Sequence, residues 1–362
     1  MRLKREIHVT RPWLPPKEDF LRYVDEIYAS RRLTNRGPLH DKLERRLGER
    51  LETEKLLLTA NATLGLLLAL HALDIKEGEV ITTPFSYAAT VNAILWGRCL
   101  PVFADIRADN LNLDPDRVEQ AITRRTKAIL PVHIYGIPCA MESIQYLADK
   151  HGLKVIYDAA QAFGVKLGGK SLLVHGDVSV CSLHATKLFN TAEGGLLLVR
   201  NPQIHQRLEL LRRFGHNYDD YQEPGINAKL SEPLAALGLA GLDHLEEIIA
   251  SRRELTACYD QRLAGLLRRP SMPADLEYNY AYYPVLFKDE EQLLRVFQAL
   301  AGIGVYPRRY FFPSLNTLPY LNGAAPCPVS ERSARVAACL PLFPGLLEEE
   351  VEEICRVIKE RL

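Results

Sequence analysis

Over its first two thirds the chain alternates short, nearly continuous apolar segments with stretches of helical periodicity. Glu79-Val80-Ile81-Thr82-Thr83, Pro101-Val102-Phe103-Ala104, Lys127-Ala128-Ile129-Leu130-Pro131-Val132 and Leu153-Lys154-Val155-Ile156-Tyr157 read as strands. Val178-Ser179-Val180-Cys181-Ser182-Leu183 and Gly195-Leu196-Leu197-Leu198-Val199 continue the series. Helical patterns over residues 63–73, 87–96, 115–122 and 141–151 separate them. Strands that are apolar at almost every position need cover on both faces, and the intervening helices supply it. An α/β fold with a mainly parallel sheet follows. Beyond about residue 230 the character changes. Residues 231–263 read as one long helix, with Ser231 as N-cap and Pro233 tolerated in the first turn. A strand over 282–287, a helix over 289–301, a proline-rich stretch over 307–328 and a closing helix over 346–362 complete the chain. The expected organisation is an N-terminal arm and large domain in residues 1–240, then the long helix and a smaller α+β domain in residues 241–362.

Length and charge narrow the class. A chain of 362 residues exceeds one comfortable core, in keeping with two unequal units. Its 45 basic and 45 acidic side chains cancel, which argues against a protein built to coat nucleic acid or an anionic membrane. A small anionic ligand needs only a local cluster of donors and stays open. The seven cysteines (Cys99, Cys139, Cys181, Cys258, Cys327, Cys339, Cys355) form no CxxC pair and no zinc spacing, so no metal is expected. They read as thiols in a reducing compartment. The first twenty residues lack an apolar signal core, and apolar runs such as residues 56–70 are interrupted and too short to span a bilayer. The cytoplasm is the expected location.

Ligands of parallel sheets sit at the carboxyl ends of the strands, so the residues that follow each strand carry the chemistry. Asp158 ends the strand at Tyr157 and is followed by Ala159-Ala160-Gln161. A carboxylate there is costly to bury without a cationic partner, unless it merely caps a turn or a helix. Ser182 leads into His184-Ala185-Thr186-Lys187, a polar loop and Glu193-Gly194-Gly195. A lysine in that position is either a desolvated nucleophile or a snorkelling surface cation. Upstream, Leu56-Leu57-Leu58-Thr59-Ala60-Asn61-Ala62-Thr63 leads into a helix, whose N-terminus offers free N–H groups to an anion. Thr63 could equally be an ordinary N-cap. Tyr87, just after a strand, could stack on a flat ring or belong to the core. Jointly, a carboxylate for a pyridinium nitrogen, a helix start and hydroxyls for a phosphate, an aromatic face and an amine match the needs of pyridoxal phosphate. No GxGxxG follows a predicted strand, so the dinucleotide cofactors lack their fingerprint.

The sequence resembles the DegT-type sugar aminotransferases, fold-type I pyridoxal phosphate enzymes, nearly from end to end. The likeness lies in Thr10-Arg11-Pro12 with Leu14-Pro15-Pro16, Leu33-Thr34-Asn35-Arg36-Gly37-Pro38, Pro131-Val132-His133-Ile134-Tyr135-Gly136 and Asp158-Ala159-Ala160-Gln161-Ala162. Ser182-Leu183-His184-Ala185-Thr186-Lys187, Glu193-Gly194-Gly195 and Gly225-Ile226-Asn227-Ala228-Lys229 complete it. The resemblance implies a seven-stranded, mainly parallel sheet domain with a smaller C-terminal α+β domain. It implies Lys187 as the Schiff-base lysine and proton carrier, Asp158 on the pyridine nitrogen and Gln161 on the ring hydroxyl. Ala62, Thr63 and Ser182 would bind the phosphate, Tyr87 would stack on the ring, and Asn227 would reach the phosphate of a second subunit in a homodimer. His184 would lie beside the sugar, with Thr34, Arg36, Lys229 and Tyr310 as further substrate contacts. Arg36, Lys229, Arg308 and Arg309 are candidates for a substrate diphosphate.

The implied reaction passes an amino group from L-glutamate, through pyridoxamine phosphate, to a nucleotide-linked keto sugar. The pattern is nearest to enzymes of dTDP-4-keto-6-deoxyglucose, which becomes the 4-amino-4,6-dideoxy sugar. A 3-keto sugar nucleotide, a keto-cyclitol, or a non-catalytic sensor role on the same fold are the alternatives. Dehydratases of the family lack the lysine, which sets Lys187 against that class. Three positions depart from the family pattern: Ala62 stands where glycine is common, Gly65 where alanine is usual, and Pro233 where an ordinary helix former is frequent. Alanine at 62 is harmless only if the chain enters a helix there directly.

Overall fold

The apolar segments pair into a seven-stranded sheet whose strands are almost wholly buried. In the computed structural model, which describes residue 3, residues 5–321 and residues 323–362, these strands are β1 (Leu56–Thr59), β2 (Glu79–Thr82), β3 (Leu100–Phe103), β4 (Thr126–Leu130), β5 (Lys154–Asp158), β6 (Val178–Ser182) and β7 (Gly195–Val199). Their order is β1-β7-β6-β5-β4-β2-β3. β7 runs antiparallel to both neighbours and every other pair is parallel. β1, by sequence only the lead-in to a helix, is one of the two edge strands. Its leucines run on into the apolar residues of that helix, which hides the change of period.

Helices α1 (Lys17–Ser30), α2 (Pro38–Arg50), α3 (Ala62–Ala72), α4 (Ala88–Trp96), α5 (Pro115–Ala121), α6 (Met141–His151) and α7 (Pro202–Leu211) accompany the sheet. The single helix expected over 231–263 is two, α8 (Glu232–Leu242) and α9 (Leu245–Leu263). Asp243 and His244 turn outward at the break to meet charged groups of α1 and α2. His244 Nε2 lies 2.8 Å from Asp19 Oδ2, and Arg46 bonds Asp243 at 2.9 Å. These partners are distant in sequence, and the apolar period runs on through the break. Ser231 is the N-cap of α8 with no side-chain bond to it, and Pro233 occupies the first turn.

The C-terminal part pairs β8 (Tyr283–Leu286) with β9 (Ala337–Leu340) in antiparallel register and adds α10 (Glu290–Gly302), α11 (Pro328–Val336) and α12 (Glu348–Lys359). α9 joins two cores: Leu245 and Ile248 pack with the large-sheet residues, whereas Leu255, Tyr259 and Leu263 pack with Val285, Val296 and Ile354. The N-terminal arm does the same. Trp13 packs on the first core, and Ile7–His8 pairs in parallel with Val305–Tyr306 of the second.

Candidate active site

The carboxyl ends of the parallel strands open into a cavity of about 310 Å³. Ala62, Thr63, Tyr87, Asp158, Gln161, Ser182, His184, Lys187 and Tyr310 all line it, as does Arg308. At one end lies the start of α3. Asn61 is its N-cap, its Oδ1 accepting from the Leu64 N–H at 2.9 Å, so Thr63 is a helical residue and not the cap. Asn61 has an extended φ of −164° and Ala62 already belongs to the helix, so alanine at 62 carries no backbone strain. The first N–H groups of a helix have no acceptor within it. Together with Ser182 at the end of β6, they form a cradle for an anion.

Asp158, the last residue of β5, is buried at the other end. Its Oδ2 accepts from Thr90 Oγ1 at 2.7 Å and its Oδ1 from the Ala160 N–H at 3.1 Å. Thr90 is itself held by Ser86 at 2.8 Å. Burial pushes the Asp158 carboxyl up, and the bonds from Thr90 and Ala160 and the charge of Lys187 oppose it. Gln161 is fixed by the Tyr135 N–H, which donates to its Oε1 at 2.6 Å, leaving its NH2 group for a ligand.

Lys187 follows β6 by five residues and sits among Asp158, Tyr282 and Tyr310. Its Nζ donates to the Tyr282 hydroxyl at 3.2 Å. Burial pushes the amine down, while Tyr282, Asp158 and Tyr310 push it up and prevail. At His184 the Thr186 N–H donates to Nδ1 at 3.2 Å, so the proton sits on Nε2, 3.6 Å from Glu193.

The remaining expected residues lie elsewhere. Thr34 is exposed between α1 and α2, and Arg36 is engaged by Asp41, Glu44 and Glu209. Asn227 is exposed outside the cavity. Lys229 lies over the Phe214 ring at 5.0 Å, its amine pushed down by burial and by Arg212 and Arg213. Arg309 pairs with Glu290 at 2.6 Å. Of the four cations considered for a diphosphate, only Arg308 lines the cavity, with its guanidinium over Tyr310 at 5.2 Å and no carboxylate partner among the described residues. Sequence reasoning missed Thr90, Ser86 and Tyr282. None of the three had a local signal: Ser86 lies just before α4, Thr90 within it, and Tyr282 reaches the cavity from the C-terminal part, immediately before β8.

The donor set fits a phosphorylated pyridine aldehyde. A buried carboxylate with spare lone pairs suits a ring N–H, the helix start and Ser182 suit a phosphate, and Lys187 suits the aldehyde. The model of the DegT/DnrJ/EryC1/StrS aminotransferase family matches residues 16–359. A dTDP-4-amino-4,6-dideoxy-D-glucose transaminase of Shigella dysenteriae is 39% identical, over 99% of this chain and 100% of its own. A UDP-N-acetyl-3-dehydro-alpha-D-glucosamine 3-aminotransferase of Acidithiobacillus ferrooxidans is 34% identical, over 84% of this chain and 83% of its own. Among solved structures, DesI in the presence of its TDP-sugar product superposes with a TM-score of 0.93 at 34% identity, covering 99% of this chain and 93% of that one.

Proposed function

The chain belongs to the DegT/DnrJ/EryC1/StrS family of pyridoxal-phosphate-dependent sugar aminotransferases, and on that premise we propose that it aminates the 4-keto carbon of a dTDP-linked 6-deoxyhexose. dTDP-4-keto-6-deoxyglucose is the proposed acceptor and L-glutamate the donor. The observation that carries this reading is the convergence of Lys187, Asp158, Gln161, Ser182 and the start of α3 on one cavity, in a chain similar end to end to a dTDP-4-amino-4,6-dideoxy-D-glucose transaminase.

When bound, pyridoxal phosphate supplies an electron sink for the charge left as the donor Cα loses its proton. Asp158, whose charged form Thr90 and Ala160 favour against its burial, would hold the proton on the ring nitrogen. Lys187 Nζ takes the proton from the donor Cα and, in the second half-reaction, delivers one to the sugar carbon that receives the amino group. Gln161 orients the ring through its hydroxyl, Tyr87 covers a ring face, and Ser182 with the N–H groups of Ala62 and Thr63 holds the phosphate. His184 and Tyr310 flank the sugar. Arg308, which lines the cavity without a carboxylate partner among the described residues, receives the diphosphate.

The proposed working unit is a homodimer in the cytoplasm. Asn227, exposed and outside its own cavity, would complete the phosphate site of the partner subunit. An apolar groove lined by Leu67, Trp96, Leu211 and Ile226 supplies surface for such an interface, with Trp96 81% exposed. All seven cysteines are free and buried, in keeping with a reducing compartment. Among the described residues no helix is long and apolar enough to cross a membrane.

A second reading, amination of a 3-keto sugar nucleotide, draws on the 34% identical 3-aminotransferase. One experiment separates the two. The protein loaded with pyridoxamine phosphate is offered dTDP-4-keto-6-deoxyglucose or a 3-keto isomer. Loss of the pyridoxamine absorbance with the 4-keto sugar alone is expected. Loss with the 3-keto sugar alone replaces the first reading by the second. Lys187→Ala should turn over neither.

A further inference from the structure

Lys187 Nζ has one hydrogen-bond partner among the described residues, the hydroxyl of Tyr282 at 3.2 Å. The nearby Asp158 carboxylate is already engaged by Thr90 and the Ala160 N–H. Tyr282 reaches the cavity from the C-terminal part, immediately before β8, and packs with Tyr135, Leu286 and Phe311. Its ring is held between Tyr135 (centroids 6.0 Å apart, planes at 51°) and Tyr310 (6.0 Å, 89°). Its carbonyl accepts from the Tyr278 hydroxyl at 3.4 Å. The ring is therefore packed from two sides and its backbone is tied by a third contact, while the lysine it meets sits on a flexible stem.

We infer that the Tyr282 hydroxyl is the resting partner of Lys187 and keeps the freed amine aimed during proton transfer. The inference rests on the reading of Lys187 as the proton carrier. Its chemistry favours a hydroxyl over a carboxylate. An ammonium donates to the phenol oxygen, and a neutral amine accepts from the phenol proton, so one contact serves both states of the lysine. A carboxylate only accepts and would trap the ammonium. A lysine that gains and gives up a proton in each half-reaction needs the first kind of neighbour. The groups facing Nζ are Tyr282, Asp158 and Tyr310; burial favours the neutral amine and these three favour the ammonium.

Tyr282→Phe removes the oxygen and leaves the ring packing. Turnover should fall by about tenfold or more, with KM for both substrates unchanged within about twofold. The isotope effect with 2-deuterated L-glutamate should rise, because proton transfer becomes the slower step. In cofactor-free protein the opposite direction is expected: at pH 7 an amine-reactive ester should label Lys187 faster, as read by peptide mass spectrometry, because the amine has lost a group that holds its proton. Tyr283→Phe removes the hydroxyl of the next residue, which bonds Asp260 and touches neither Lys187 nor Tyr282, and serves as the packing control.

Slower turnover with faster labelling in Tyr282→Phe alone supports the inference. Unchanged turnover and isotope effect, unchanged labelling, or the same changes in Tyr283→Phe would overturn it. If the unaltered protein neither takes up pyridoxal phosphate nor transaminates, the functional reading fails, while the labelling comparison still decides the Tyr282–Lys187 pair.

Discussion

A carboxylate buried as Asp158 is keeps its charge only while donors oppose the cost of desolvation. Thr90 gives the bond to Oδ2, and Ser86 occupies the Thr90 oxygen so that its proton points to Asp158. Thr90→Val should leave burial unopposed on that side, so that the Asp158 carboxyl titrates at higher pH, as followed by its 13C resonance. A hydrogen bond to a charged group contributes about 1.5–3 kcal/mol, and losing it should lower kcat by about ten- to a hundredfold. Thr90→Ser should restore most of both; a valine variant with native kcat and native titration would contradict the role. At this scale the sequence was informative where chemistry is unusual. Asp158 and Lys187 stand out because a charge at the end of an apolar strand calls for a reason. Thr90 and Tyr282 do not stand out, since a threonine in a helix and a tyrosine beside a strand are ordinary until folding brings them to Asp158 and Lys187. Arg308 was one cation in four, and folding separates it: it alone of the four lines the cavity, while Arg36 and Arg309 pair with carboxylates elsewhere.

Elements that are locally patterned were legible, and those fixed by distant partners were not. Six of the strands and the four helices expected among them appear within a few residues of their predicted bounds. The start of α2 is set from α8 instead: Glu232, fully buried, accepts from the Leu39 and His40 N–H groups at 2.9 and 2.8 Å. No local pattern reveals such a cap, and β9 is likewise hidden, directly following α11 without a turn signal. α3 shows how one residue positions an element on the sheet. A Cβ at Gly65 would lie 2.8 Å from Val180 Cγ1 and 3.2 Å from Leu197 Cδ1, so the helix that starts the anion cradle rests on β6 and β7 at glycine distance. Gly65→Ala gains about 0.5–1 kcal/mol of helix propensity but meets an overpacking cost of about 1–3 kcal/mol. A net loss is expected, seen as a lower urea midpoint and weaker cofactor retention. Gly302, at the end of α10 with no atom near its missing Cβ, is the control. Gly302→Ala should be neutral or stabilising, and an equal loss at both glycines would rule out the packing explanation.

For the whole molecule, balanced charge conceals groups that folding holds away from their ordinary protonation. His133 is fully buried, stacked on Tyr157 at 4.7 Å, and its Nδ1 accepts from the Cys139 N–H. Burial, with a smaller contribution from His175, pushes it down to about 3. His40, beside Asp41 and Glu44 and facing Arg212 and Arg36, is pushed down to about 4 by burial first and Arg212 second. Both folded-state values lie below the ordinary 6.5, so between pH 6.5 and about 4 the unfolded chain binds protons that the folded chain does not. Stability conferred by the two neutral imidazoles is complete above pH 6.5 and is lost as pH falls towards 4 and then 3. Each pH unit of difference is worth about 1.4 kcal/mol, so the pair amounts to several kcal/mol against a total of roughly 5–15. The urea midpoint should therefore fall steadily from pH 7 to pH 4.5, while the imidazole resonances of His40 and His133 stay at their neutral positions until the protein unfolds. Folded-state titration of both rings near pH 6.5 would show that these histidines do not set the acid limit, and would leave the fall to the carboxylates, whose loss begins at lower pH.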